Sequence, residues 1–153
     1  MHKKFYASGF LYSPTTEQIL LQQHKSSAPL WSLFGGKNNN AEDPIQTFHR
    51  TAFKELKIKI TPSAIHPVYD YFSKKLNDHC YIFYAQVGNK EKKIHTRPGF
   101  VTEWFTFKQI YKLPIEEQTR QDIMVAKRVI DLAVRNEADN ILGVDKTKTI
   151  VLR

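Results

Sequence analysis

The segment that most restricts this chain is Gly35-Gly36 followed, after a polar loop, by a helix whose beginning is spelled out residue by residue. Asp43 is an N-cap, Pro44 takes the first helical position, where no hydrogen bond is lost, and Gln46 completes a capping box. Ile45, Phe48, Ala52 and Leu56 follow at spacings of three, four and four, which predicts an apolar ridge over Pro44 to Leu56 turned toward a core. On the same wheel Thr51 and Glu55 lie side by side away from that ridge, with Lys54 one step further round. A helix with one apolar stripe has to lie on something, and its neighbours in the chain supply a sheet.

Phe5 to Tyr12 and Gln18 to Gln22 read as a hairpin around Pro14-Thr15-Thr16. Leu30 to Phe34 alternates its faces and reads as a short strand stopped by Gly35-Gly36. Further strands are expected at Ala64 to Phe72, Cys80 to Val87 and Phe100 to Phe105, with turns at Asn77-Asp78 and Gly88-Asn89. A second helix is expected over about Thr119 to Arg135. Ile123, Ala126, Ile130, Ala133 and Val134 would face inward, and Lys127, Asp131 and Arg135 stand outward at charge-pairing spacing. The stretch after Asn140 reads equally as a final strand or an arm, and a dimer formed through it is left open. Strands, a helix, more strands and a terminal helix imply an α+β chain with a mixed β-sheet and helices on its faces, expected as one domain over 1–153.

Composition removes several classes. At 153 residues with 41% hydrophobic content the chain can bury a core. No apolar run is long enough to span a bilayer and no leader pattern opens the chain, so an unprocessed protein away from membranes is expected. The single cysteine, Cys80, excludes an intrachain disulfide framework and a Cys-based zinc ribbon, and a reducing cytoplasm is the expected location. The six histidines show no metal-ligand spacing. A formal charge of +8 favours an anionic partner, whether nucleotide, nucleic acid or another phosphate bearer.

Chemistry concentrates between Gly36 and Ile58: Gly36, five residues, Glu42, seven residues, Arg50, then Thr51-Ala52-Phe53-Lys54-Glu55-Leu56-Lys57-Ile58. This stretch, 36–58, resembles the Nudix box of the MutT-like hydrolases, G-x5-E-x7-R-E-U-x-E-E-x-G-U with U a bulky apolar residue. A strand ending in Gly-Gly before it and Glu103-Trp104-Phe105-Thr106-Phe107 after it are similar to the family's surroundings of the box. The resemblance implies a Nudix-type α/β/α sandwich and a hydrolase cleaving a nucleoside diphosphate linked to another moiety. Carboxylates grouped on one helix face can hold Mg²⁺ or Mn²⁺ and activate a water, while a glycine-bearing loop admits phosphates. By resemblance Glu42 and Arg50 form the clamp between loop and helix, Glu55 and Glu42 stand near the metal, and Gly36, Lys37, Arg50 and Lys54 stand near the phosphates.

The box is degenerate where the chemistry is most demanding. Thr51 stands at the glutamate after the arginine, Lys54 at the first of the paired glutamates and Lys57 at the closing glycine. The first two changes make the site three charge units more positive, and one lysine held beside a divalent cation would cost up to about 8 kcal/mol. Replacement carboxylates are sought at Asp43, Asp70, Asp78 and Glu103, with Glu103 the foremost as an extra ligand or base. Two readings follow: a weak or altered metal-dependent pyrophosphohydrolase, or a protein that keeps the fold and binds a nucleotide or RNA phosphate through its basic loop. Tyr6, Tyr69, Tyr71 and Phe72 are candidates for stacking on a base. The loops Lys25 to Pro29 and Leu76 to His79 are the candidates for choosing a ligand.

Overall fold

The computed structural model describes residues 3–26, 29–88 and 94–141. Asn89 of the expected turn, positions 27–28 of the loop before Leu30, and the tail from 142 onward lie outside the described residues. The elements run β1 (Phe5–Ser13), β2 (Gln18–His24), β3 (Trp31–Ser32), β4 (Phe34–Lys37), α1 (Pro44–Leu56), a 3₁₀ turn (Pro62–Ala64), β5 (Ile65–Ser73), β6 (Asp78–Gln86), β7 (Phe100–Thr106), α2 (Phe107–Ile110) and α3 (Glu117–Ile141).

β1 lies parallel to β6 along one edge, and its other edge is shared. β4 pairs antiparallel with its first half, Tyr6 to Gly9, and β2 with its end, Leu11 to Ser13. β2 in turn carries β7 along its whole length and β3 at Gln22 and Gln23. The segment Trp31 to Lys37 therefore crosses from β2 to β1 in the fork where those strands diverge. Gly35-Gly36 does not end the strand, as expected from the sequence, but lies inside β4; the interruption falls at Leu33. The close pairing explains the glycine: Gly35 has φ +145°, and a Cβ there would stand 2.2 Å from the Ala7 carbonyl oxygen.

Side-chain alternation sorts the sheet into two cores. Phe5, Ala7, Leu11, Leu20 and Phe83 meet Phe48, Ala52 and Leu56 of α1 on one face. Phe10, Tyr12, Ile19, Leu21 and Phe105 meet Ile123, Ala126 and Ile130 of α3 on the other. The result is the expected α+β arrangement, a mixed sheet between helices.

α1 starts as its sequence dictates, with the Asp43 capping box formed in both directions and Pro44 inside the first turn. Its buried arc is broader than the apolar ridge. Thr47, Thr51 and Glu55 are buried together with Phe48, Ala52 and Leu56. Ile45, in the first turn at one margin of that arc, is instead 37% exposed. α3 extends beyond the expected Arg135, and its last buried residue is Ile130, so Val134 is exposed and Ala133 with it. The helix has run past the sheet by then.

One irregularity redirects side chains. Between Pro67 and Tyr69 the β5–β6 register slips by one residue. Ile65, before the slip, points into the α1 core. With a period of two, Tyr69 and Tyr71 would share that face; the bulge turns them to the α3 face instead. β5 is an edge strand, where proline can sit without removing a ladder bond.

Candidate functional site

The loop between β4 and α1 is built around Glu42. Its Oε1 accepts from the Asn39 backbone N–H at 2.6 Å and from Thr47 Oγ1 at 3.0 Å. Arg50 completes a two-pronged pair, with Nε donating to Oε2 at 2.7 Å and Nη2 to Oε1 at 3.0 Å. The same Nη2 reaches the Lys37 carbonyl oxygen at 2.9 Å, which ties loop, helix and β4 together. Hydrogen bonding from Arg50, above all, holds the Glu42 carboxyl down at about 2.

Thr51, Lys54 and Lys57 have three different local settings. Thr51 Oγ1 donates back to the Thr47 and Phe48 carbonyls at 2.9 and 3.2 Å, so its proton is turned onto the helix. Its methyl group faces Gly36, 3.5 Å from where a Cβ on that glycine would stand. Lys54 is exposed on the outer side of the helix. Lys57 is the C-cap, held in the left-handed region at φ 55° with its N–H bonded to the Phe53 carbonyl. A residue without a Cβ would take that conformation more easily.

Glu55 is buried at 6% exposure instead of facing away from the core. Its Oε2 accepts from Gln22 Nε2 at 3.1 Å, and the Gly35 backbone N–H also donates to the carboxylate. Arg97 Nη2 lies 3.8 Å from Oε1. Burial pushes the Glu55 carboxyl above the usual range, and the Arg97 charge is the main force holding it down. Gln22 and Arg97 carried no motif. Gln22 directly follows the apolar run Ile19-Leu20-Leu21 in β2, which is a weak signal; Arg97 gave none.

The structure does not bring Glu103 to Glu55. Glu103 sits opposite Leu21 in the β2–β7 ladder, and Leu21 belongs to the α3-side core. Gln22, which reaches Glu55, points to the other face, so Glu103 is turned away from the box helix. Asp43 is engaged as the cap, Asp70 pairs with His79 at 2.6 Å, and Asp78 lies 3.9 Å from Lys37.

These donors fit a divalent cation poorly. Mg²⁺ and Mn²⁺ ask for several oxygen ligands in close to octahedral order. Here the Glu42 oxygens already accept four hydrogen bonds, Thr51 offers a neutral hydroxyl and no carboxylate, and Glu55 carries two donors with a guanidinium beside it. Among the described residues no three His, Cys, Asp or Glu side chains are grouped to hold a metal.

Across β4, on the α3 side, a cavity of about 620 Å³ opens. Tyr6, Tyr71 and Phe72 line it, Lys74 and Lys75 stand along it, and Asp122 closes its depth. Lys37 extends over the Tyr6 ring, 5.6 Å from the centroid. Asp122 is buried and accepts from Tyr69 Oη at 2.6 Å, Tyr71 Oη at 3.1 Å and Gln118 Nε2 at 3.0 Å. Burial raises its carboxyl above the usual range against the pull of those three donors. Of the four expected stacking residues, three line the cavity, and Tyr69 supports Asp122 behind it.

A family model described as NUDIX domain matches residues 3–127. The fold is similar to a MutT/nudix family protein from Enterococcus faecalis (TM-score 0.66, 17% identity), with 86% of this chain aligned over 63% of that chain. It is similar to the NUDIX domain of Shewanella oneidensis NrtR, solved in complex with ADP ribose (TM-score 0.67, 14% identity, 85% of this chain and 90% of that one). A NUDIX-family hydrolase from Clostridium perfringens aligns at TM-score 0.64 and 16% identity, over 83% of this chain and 96% of the other. No curated protein matches the sequence. No helix among the described residues is long and apolar enough to cross a membrane.

Proposed function

We propose, from the premise that the chain belongs to the NUDIX domain family, that it binds a nucleotide-type phosphate ligand and has lost most or all metal-dependent hydrolysis. The observation that carries this is the state of Glu55: the surviving acidic side chain of the helix is buried, hydrogen-bonded by Gln22 and faced by Arg97. A carboxylate so engaged is poorly available to a cation, and neither Thr51 nor Lys54 offers a second one.

Ligand binding has independent support. The cavity is within the size range of small-molecule sites, and its aromatic walls suit a base. The net charge of +8 acts in the same direction. ADP ribose in the NUDIX domain of the Shewanella protein makes it the first ligand to try.

The test is calorimetric titration of the chain with ADP-ribose and a panel of nucleoside diphosphates, beside product assays in Mg²⁺ and Mn²⁺. Binding without turnover is expected. Tyr6→Ala should weaken binding roughly 5- to 150-fold, the range of one lost base–aromatic stack. Metal-dependent turnover abolished by Glu55→Gln would establish the hydrolase reading in its place, and absence of binding to the whole panel would remove both.

A further inference from the structure

Resting on that reading, we propose that Arg97 supplies the positive charge that receives the ligand's phosphate at the box helix, and that Glu55 is a positioning residue for Arg97. The guanidinium is not a loose surface group. It sits over the Phe100 ring with its carbon 3.8 Å from the centroid, and Phe100 is braced edge-on by His24 at 4.7 Å. The backbone around it is fastened on three sides. His95 N–H donates to the Leu56 carbonyl at the end of α1 at 2.9 Å, Lys25 N–H to Gly99 at 2.8 Å, and the Thr96 and Thr102 hydroxyls meet at 2.8 Å.

Arg97 nevertheless has donors to spare. Nη2 is 3.8 Å from Glu55 Oε1, within reach of its charge but beyond a hydrogen bond, and Nε is buried with no partner among the described residues. The side chain keeps 39% of its surface open. An aromatic ring beneath it and an anion at one corner restrain a planar fork, the group that matches phosphate oxygens in pairs. Such a group does for a diphosphate what a bound cation does electrostatically, and its charge beside Glu55 opposes entry of a metal ion. Arg97, brought from the loop before β7, thus adds to the disagreement between the donor set and a divalent cation.

The class of ligand is a diphosphate ester held without metal. The experiment titrates the full chain with ADP and, separately, with adenosine, in EDTA and in Mg²⁺. Wild-type ADP affinity should agree within about twofold between the two conditions. Arg97→Ala should lose at least about tenfold for ADP and leave adenosine unchanged, with Arg97→Lys in between. Glu55→Gln should also weaken ADP binding, because Arg97 loses its anchor. If Glu55 only repelled phosphate, the same variant would bind ADP more tightly, which overturns the positioning role. A tenfold gain with Mg²⁺, or an Arg97→Ala protein that folds and binds ADP as well as wild type, overturns the charge role. Thermal melts certify folding; if Arg97→Ala does not fold, Arg97→Lys against the Mg²⁺ comparison decides. Failure of the underlying reading looks different: wild type binds neither ADP nor adenosine.

Discussion

Replacing Glu42 by Gln should remove a pH-dependent part of the stability and leave the fold in place. The carboxyl is lowered from an ordinary 4.5 to about 2, chiefly by the Arg50 hydrogen bonds. Taken in full, that difference is worth at most about 3.4 kcal/mol. Water reaches the pair, since the Arg50 side chain is 34% exposed and Glu42 16%, and screening reduces the figure to roughly 1–2 kcal/mol. The sign follows from proton uptake. Between the two values the unfolded chain binds the proton and the folded one does not, so stability rises with pH across the interval. The contribution is complete above about 4.5 and disappears as pH falls toward about 2. Urea unfolding followed by circular dichroism at pH 7, 5, 4, 3 and 2.5 should show wild type losing roughly 1–2 kcal/mol more than Glu42→Gln over the acid limb. At pH 7 the variant should melt a few degrees lower, about 2–4 °C for each kcal/mol. Curves that descend in parallel would refute the reasoning, because they would mean the clamp contributes equally whether or not Glu42 is charged.

Two further substitutions test the backbone of the site. Lys57→Gly relieves a left-handed C-cap at φ 55° and should stabilise the chain by about 1 kcal/mol, read as a rise in melting temperature; a fall would show that the lysine side chain contributes more than its strained backbone takes away. Gly35→Ala drives a Cβ to 2.2 Å from the Ala7 oxygen and 2.6 Å from Ser8 Cα, and should cost at least about 3 kcal/mol in denaturant unfolding, whereas Gly36→Ala meets only the Thr51 methyl at 3.5 Å and should change stability by less than about 1 kcal/mol. Equal effects at the two glycines would contradict the pairing of β4 with β1.

What could be read from the sequence was what local chemistry specifies. The Asp43-Pro44-Gln46 start of α1, the hairpin of β1 and β2, and the long terminal helix each depend on residues within a turn or two of one another, and each formed. The strand through Gly35-Gly36 departs from the sequence expectation for a physical reason: glycine breaks an isolated strand, yet here a close neighbour excludes any Cβ, and that neighbour is Ala7, far away in sequence. Helical periodicity counts apolar residues and so points Thr51 and Glu55 away from the ridge; Thr51 is buried with its hydroxyl satisfied inside the helix, and Glu55 with Gln22 and Arg97 supplied from distant segments.

The same limit governs the candidate site as a whole. Tyr69 and Tyr71 have the alternation of an ordinary strand, and which face they serve depends on a single-residue slip beside Pro67 that no periodicity contains. Without it both would enter the α1 core, and Asp122 would sit buried without two of its three hydrogen-bond donors. Glu103 shows the converse. Its position in a recognisable strand made it a candidate, but strand parity relative to Gln22 turns it to the wrong face. A motif therefore nominates residue types along one segment, and register between segments decides which of them share a cavity. In this chain strand register turns Glu103 away from the box helix, while the loop before β7 brings Arg97 beside Glu55, and neither placement is contained in the spacing of Gly36, Glu42 and Arg50.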